Sequence, residues 1–141
     1  MNLEISKIQK EELSTLMQEE AFKEGWSYSQ ADVDFYYACP QNSIYAVKVD
    51  NVLAGCVILH QSSSHLNNKP VFSAGFFLVL NEYRGKKIIG PYLWDRAITE
   101  HLDQNAVVCF HSVPRAVEYY ERLNYKKTAL VDLYLTLKKS T

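Results

Sequence analysis

The sequence predicts a mixed α/β domain whose central sheet is covered by helices on both faces. Three observations predict it. In the second half of the chain, apolar runs of strand length alternate with amphipathic helical stretches. The runs Val52 to Leu59 and Val71 to Leu80 are almost wholly apolar, as strands buried on both faces are. The chain has 141 residues, 48% of them apolar, which suits one compact domain with a sizeable core.

Residues 2–8 read as a short strand with Leu3, Ile5 and Ile8 as apolar positions. Residues 9–24 carry Leu13, Leu16, Met17 and Ala21 at helical spacing, and Gly25 stops that helix. Residues 29–38 predict a second helix with Val33, Tyr36 and Tyr37 on one side, ended by Pro40. Ile44–Val49 and Val52–Leu59 read as strands joined through Asp50-Asn51, a pair that tolerates positive φ in a two-residue hairpin. Gln61–Pro70 is Ser/Asn-rich and reads as an exposed loop before the strand Val71–Leu80.

A Gly/Lys turn at 85–87 leads into a helix over about 90–103, with Leu93, Trp94, Ala97, Ile98 and Leu102 inward. Residues 106–111 predict a short buried strand. Pro114 suits the first turn of a helix reaching Leu123, and Ala129–Leu137 predicts a last strand. The order is β-α-α-β-β-β-α-β-α-β. No repeat, low-complexity tract or linker divides it, so residues 1–141 are expected to form a single domain.

The net charge of −1 argues against a nucleic-acid binder held by a broad basic face. No stretch approaches the ~18 continuous apolar residues of a membrane span, and the first residues lack an apolar run behind a basic end, so no membrane contact and a cytoplasmic location are expected. Cys39, Cys56 and Cys109 are odd in number and widely spaced, which predicts free thiols and no metal site.

The segment from Phe76 to Trp94 carries the most chemistry. A buried strand ends, a basic glycine turn follows, and a helix begins. Amides at such a turn have no helical partner, and the helix dipole adds partial positive charge, so the turn can hold phosphate beside Arg84, Lys86 and Lys87. A solvated basic turn is the plain alternative.

Tyr83-Arg84-Gly85-Lys86, behind an apolar strand and before an amphipathic helix, resembles motif A of the GNAT superfamily of N-acetyltransferases, Arg/Gln-x-x-Gly-x-Gly/Ala. Counted from Arg84, the two glycine positions hold Lys87 and Ile89; one inserted residue puts Gly90 on the second. Downstream, Ala116, Tyr120 and Leu123 match motif B in place. Val113 stands for its Asn, Asn124 for its Gly and Tyr125 for its Phe. Asn is the best non-glycine residue for a left-handed helix end. The hairpin Val49–Gly55 resembles the family's second and third strands. Gly25-Trp26 and Phe35-Tyr36-Tyr37 resemble a subgroup that often carries a further C-terminal domain, so the chain reads as a minimal member or a piece of a longer one.

The resemblance implies a GNAT fold: a mixed, mostly antiparallel sheet of six to seven strands flanked by about four helices. It implies acetyl-CoA as cosubstrate, with no metal. Phe77, Leu78 and Val79 would lend backbone to the pantetheine arm. Arg84, Gly85, Lys86, Lys87, Ile88, Ile89, Gly90 and Pro91 would hold the pyrophosphate. Tyr120 would protonate the leaving thiolate, although by residue type alone it is equally a core aromatic.

An amine acceptor, neutral when it attacks, would be met by Glu24, Trp26, Tyr36 and His60; Tyr28 and Tyr37 would help shape its site. The base is open among Glu24, His60, His111 and a water chain. The partners implied are acetyl-CoA and an amine, in a monomer or homodimer. Two rivals stand beside this reading: a catalytically weak GNAT-like domain that binds acyl-CoA or a partner, and an unrelated α/β adaptor with a phosphate-facing turn.

Overall fold

The computed structural model describes residues 1–85, 88–100, 102, 105–111, 117–127 and 135–138. Strand β1 (Leu3–Lys7) is followed by α1 (Lys10–Ser14), which continues through a π-helical segment (Thr15–Glu20) into α2 (Ala21–Lys23). Gly25 ends it with φ 90°; its N–H bonds Phe22 C=O while the Trp26 N–H bonds Ala21 C=O, the paired closure of a glycine-capped helix. Helix α3 (Gln30–Ala38) starts at Ser29, whose hydroxyl accepts from the Asp32 N–H while the Asp32 carboxylate accepts from the Ser29 N–H.

Strands β2 (Asn42–Val49), β3 (Val52–Leu66) and β4 (Lys69–Val79) form an antiparallel meander. Both hairpins turn on two residues of positive φ, Asp50-Asn51 and Asn67-Asn68, whose twist matches that of the strands. The expected loop over Gln61–Pro70 is therefore corrected. Its residues belong to the far ends of β3 and β4, which project beyond the core; their outward side chains are polar, so no apolar alternation marks them.

Next come α4 (Ile89–Trp94), continued by a π-helical segment (Asp95–Glu100), then β5 (Val107–His111), α5 (Val117–Arg122), β6 (Tyr125–Lys127) and β7 (Leu135–Lys138). Asn124 takes φ 72° just past α5, the conformation its residue type favours at a helix end. The expected helix start at Pro114 and most of the expected strand Ala129–Leu137 lie outside the described residues. Strand β6 was not expected; it is three residues long, too short to show a period.

Among the described residues the seven strands form one sheet in the order β1-β2-β3-β4-β5-β7-β6, antiparallel except for the parallel pair β4-β5. Alternate residues feed two cores. On one face Leu13, Leu16, Met17 and Val33 pack on Ile44, Ala46, Cys56, Ile58 and Leu78. On the other, Ile89, Leu93 and Ala97 pack on Val47, Val57 and Val79, while Trp94 and Ile98 pack on Leu59, Val108 and Phe110. Tyr37, expected on one side of the helix with Val33 and Tyr36, is 42% exposed; Val33 and Tyr36 are the α3 residues packed in the core on that face.

Candidate active site

Two local irregularities open the sheet. Strands β4 and β5 pair only from Val71↔Val107 to Ser73↔Cys109, yet β4 runs on to Val79 and β5 to His111. Beyond Ser73 the strands part into a fork at their carboxyl ends, where ligands of α/β sheets bind. The second irregularity is a bulge in β4. Cys56 pairs with Leu78 but Ile58 with Gly75, so β4 holds one extra residue, and Phe76 there takes φ 43°.

The register also fixes where the backbone of β4 points. The Leu80 N–H donates to Ala54 C=O at 2.8 Å, so the neighbouring pair Gly55↔Val79 is of the non-hydrogen-bonded kind. The N–H and C=O of Val79 therefore point away from β3, towards the fork. Gly55 lets the two backbones meet this closely: a Cβ there would collide with Leu78 O and crowd the Val79 Cα. Leu78 and Val79 are buried and Phe77 half-buried; of these expected pantetheine residues the register turns the backbone of Val79 to the fork edge, while Leu78 pairs with Cys56 of β3.

At the end of β4 a short 3₁₀ turn (Asn81–Tyr83) leads to Arg84 and to Gly85, which takes φ 83°. Lys86 and Lys87, expected in the phosphate turn, lie outside the described residues. Ile88 precedes α4, and its C=O receives the Tyr92 N–H. Ile89 and Gly90 thus occupy first-turn positions whose amides have no helical partner, and Pro91 has no N–H to leave unpaired. Ile89 is buried, while Pro91 and Ile88 are exposed. A Cβ on Gly90 would lie 3.7 Å from Val79 Cγ2 and 3.8 Å from Phe77 Cζ, so the helix start rests on β4.

The Arg84 Nε donates to Val79 C=O at 2.7 Å, and Nη1 pairs with Glu24 Oε1 at 2.6 Å. Two residues expected on different substrates are thus one ion pair. Glu24 does not line the acceptor cleft.

That cleft, of about 540 Å³, opens on the α3 side of the fork. Its floor includes Asn42, Ile58, His60, Ser73 and Gly75; Met17, Tyr28, Phe35 and Tyr36 wall it, and Cys109 and His111 reach it from β5. A Cβ on Gly75 would meet nothing within 4 Å, so this glycine leaves room rather than relieving a clash. Of the residues expected to meet the acceptor, Tyr36 and His60 line the cleft. Trp26 does not; its ring lies 6.3 Å from that of Phe76, at the rim.

No Asp, Glu, Lys or Arg is among the described residues of the lining. Burial raises the pKa of Tyr28, with Tyr36, Asp32 and Cys56 adding to it, and burial likewise raises that of the Cys109 thiol. Cys109 Sγ lies 3.6 Å from Phe72 C=O. The thiol is held protonated, the wrong state for a nucleophile. Among the described residues no group of three or more His, Cys, Asp or Glu could hold a metal ion, and no helix is long and apolar enough to cross a membrane.

Tyr120 sits on the opposite side of the fork. Its ring centroid is 4.4 Å from that of Phe110 and 5.4 Å from that of Trp94, within an aromatic cluster that Trp94 Nε1 closes by donating to Tyr125 Oη at 3.1 Å. Phe110 lines the cleft; Tyr120, its ring contact, does not. Sequence reasoning missed Asn42, Gly75 and Cys109 as lining residues. Their common signal is position on strands that converge on the fork, which needs the register to be seen.

A mixed sheet forked between two parallel strands, with a helix beginning at the fork, defines an α/β fold. The family model for the acetyltransferase (GNAT) family matches residues 10–125, and the chain belongs to that family. No curated protein matches it in sequence. Among solved structures it is similar to the N-acyl amino acid synthase FeeM from uncultured soil microbes, at 9% identity and a TM-score of 0.76 over 99% of this chain and 91% of that one. Arabidopsis thaliana Naa50, solved with the bisubstrate analogue CoA-Ac-MVNAL, gives 14% identity and a TM-score of 0.73 over 99% of both chains. The PaiA N-acetyltransferase of Thermoplasma acidophilum, solved with coenzyme A, gives 19% identity and 0.63 over 99% of both. At these identities the likeness is one of fold.

Proposed function

We propose that this chain moves an acetyl group from acetyl-CoA to an amine by direct attack, with the thioester in the β4/β5 fork and the amine in the α3-side cleft. The observation that carries the reading is the meeting of these two spaces: the fork edge at Val79 and the cleft residues Gly75 and Phe76 are neighbours on one bulged strand.

In this reading the pantetheine arm runs along the outward-facing backbone of Val79, and the diphosphate meets residues 84–91. Arg84, Lys86 and Lys87 supply charge there, and the amides of Ile89 and Gly90 supply donors. The Val79 N–H is placed to hold oxyanion charge. The acceptor enters as its neutral amine, because an ammonium has no lone pair. A cleft with no carboxylate among its described lining favours that form by desolvation, while Tyr28, Tyr36 and Phe35 still offer ring faces to a cation on its way in. Tyr120 protonates the departing thiolate; phenol and thiol have reference pKa values of roughly 10 and 8.5, so the transfer is not steep. Holding the two substrates together supplies most of the rate.

The second reading, an acyl-CoA-binding domain that does not turn over, is favoured by one observation: Phe110 lines the cleft, but Tyr120, its ring contact, does not. The test is acetyl transfer from acetyl-CoA to a panel of amines, with Tyr120→Phe beside the wild type and coenzyme A affinity measured by calorimetry. The expected result is turnover that falls about 10²-fold or more in Tyr120→Phe with affinity kept. Unchanged turnover removes Tyr120 as the acid. Tight binding without turnover on any amine supports the second reading.

A further inference from the structure

Asn42 and His60 stand opposite each other on β2 and β3, on the face beneath α3. Asn42 Nδ2 donates to Tyr36 C=O at 3.0 Å, and Asn42 Oδ1 lies 2.7 Å from His60 Nδ1. These two bonds fix a tautomer. The Tyr36 carbonyl only accepts, so it must receive the amide NH₂, which turns the amide oxygen to His60. An amide oxygen also only accepts, so Nδ1 must carry the hydrogen. The neutral ring then has its lone pair on Nε2, at the opposite edge. Nε2 has no hydrogen-bond partner among the described residues, and the ring lines the cleft.

We infer that His60 is the general base of the transfer, acting through Nε2, and that Asn42 is the positioning residue that holds it in the competent tautomer. The inference rests on the acetyl-transfer reading above. In the step, the amine lone pair forms the C–N bond to the acetyl carbon and the C–S bond of the thioester breaks. The proton lost by the amine nitrogen passes to Nε2 through water in the cleft, since His60 lies five β3 residues, about 16 Å, from the Gly55 partner of Val79, and it leaves to solvent with the product. The thiolate takes its proton from Tyr120, which solvent restores.

The groups lining the cleft with His60 are Tyr36 of α3, Cys39 just after it, Tyr28 of the loop before it, Cys109 and His111 of β5, and Ser73 of β4, its cross-strand neighbour. None brings a fixed charge. Tyr28 and Cys109 stay neutral through the physiological range, because burial raises both. His111 is the one competing base among them.

Two experiments on the full chain test this. Long-range ¹H–¹⁵N NMR of the histidine rings reads the tautomer directly, with no substrate present. His60 is expected with its hydrogen on Nδ1; Asn42→Ala loses that preference and Asn42→Asp keeps it. In kinetics, His60→Gln is expected to lower kcat/KM for the amine by about 10²–10⁴-fold with coenzyme A affinity unchanged. Asn42→Asp adds a negative charge that favours imidazolium, so the acidic limb of its pH profile moves to higher pH. A hydrogen on Nε2 in the wild type overturns the inference. So does an acidic limb that disappears in His111→Ala but survives in His60→Gln. If the wild type binds coenzyme A and His60→Gln turns over normally, the base assignment alone falls. If the wild type binds no coenzyme A, the inference falls with the reading beneath it.

Discussion

Arg84 joins three parts of the chain, because its guanidinium reaches Val79 C=O at the end of β4 and Glu24 at the end of the first helical run. The two contacts differ in worth. The ion pair is part-exposed at both ends, so water screens it. The bond to Val79 satisfies a carbonyl turned away from its sheet partner, in a buried residue. Glu24→Gln is therefore expected to cost less than about 1 kcal/mol in urea unfolding. Arg84→Ala is expected to cost more, about 1–3 kcal/mol, because a polar group loses its partner. Equal losses would mean that the Val79 bond contributes nothing. At this scale the sequence is legible where residue type alone decides: Gly85 and Asn124 both take the positive φ their types favour. The pairing of Glu24 with Arg84 is not legible, since 60 residues separate them and each also has a plausible ligand.

Bulges decide what the elements present. Val49 pairs with Val52 and Lys48 with Leu53, but Val47 pairs with Gly55, so Ala54 is an extra residue in β3. Counted straight back from the Asp50-Asn51 turn, Gln41 would face His60; the bulge brings Asn42 there instead. That one-residue slip is why the Asn42–His60 pair cannot be read from spacing. The β4 bulge works likewise: it turns Phe76 through positive φ and exchanges the faces of the residues beyond it. Gly55 lies between the two bulges, where a Cβ would run into the backbone of β4. Gly55→Ala must push backbone against backbone, and is expected to destabilise the chain by about 1–3 kcal/mol in denaturant unfolding while lowering coenzyme A affinity. Wild-type stability and affinity in that variant would mean that the close approach does not set the edge of the fork. The strands and helices around these bulges were legible because their apolar periods are strong. The Gln61–Pro70 hairpin was not, because it extends past the core and carries no period.

At the scale of the whole molecule, the sheet is one continuous surface with a different helix layer on each face, parted between β4 and β5. The α/β class and family were legible because buried strands alternate with amphipathic helices around a glycine turn. The cleft was not, because its lining comes from four strands, one helix and two further segments that meet only after folding. Under the proposed function the fork is the route for acetyl-CoA and the α3 side the route for the amine. The most direct test is the backbone amide spectrum of the full chain during titration with coenzyme A. The amides of Phe77, Leu78 and Val79, with those of Ile88, Ile89 and Gly90, are expected to shift together, and the Val79 N–H to gain protection from exchange. Shifts confined to the β1-β2 edge, or a fork that stays unmoved at saturating coenzyme A, would contradict it.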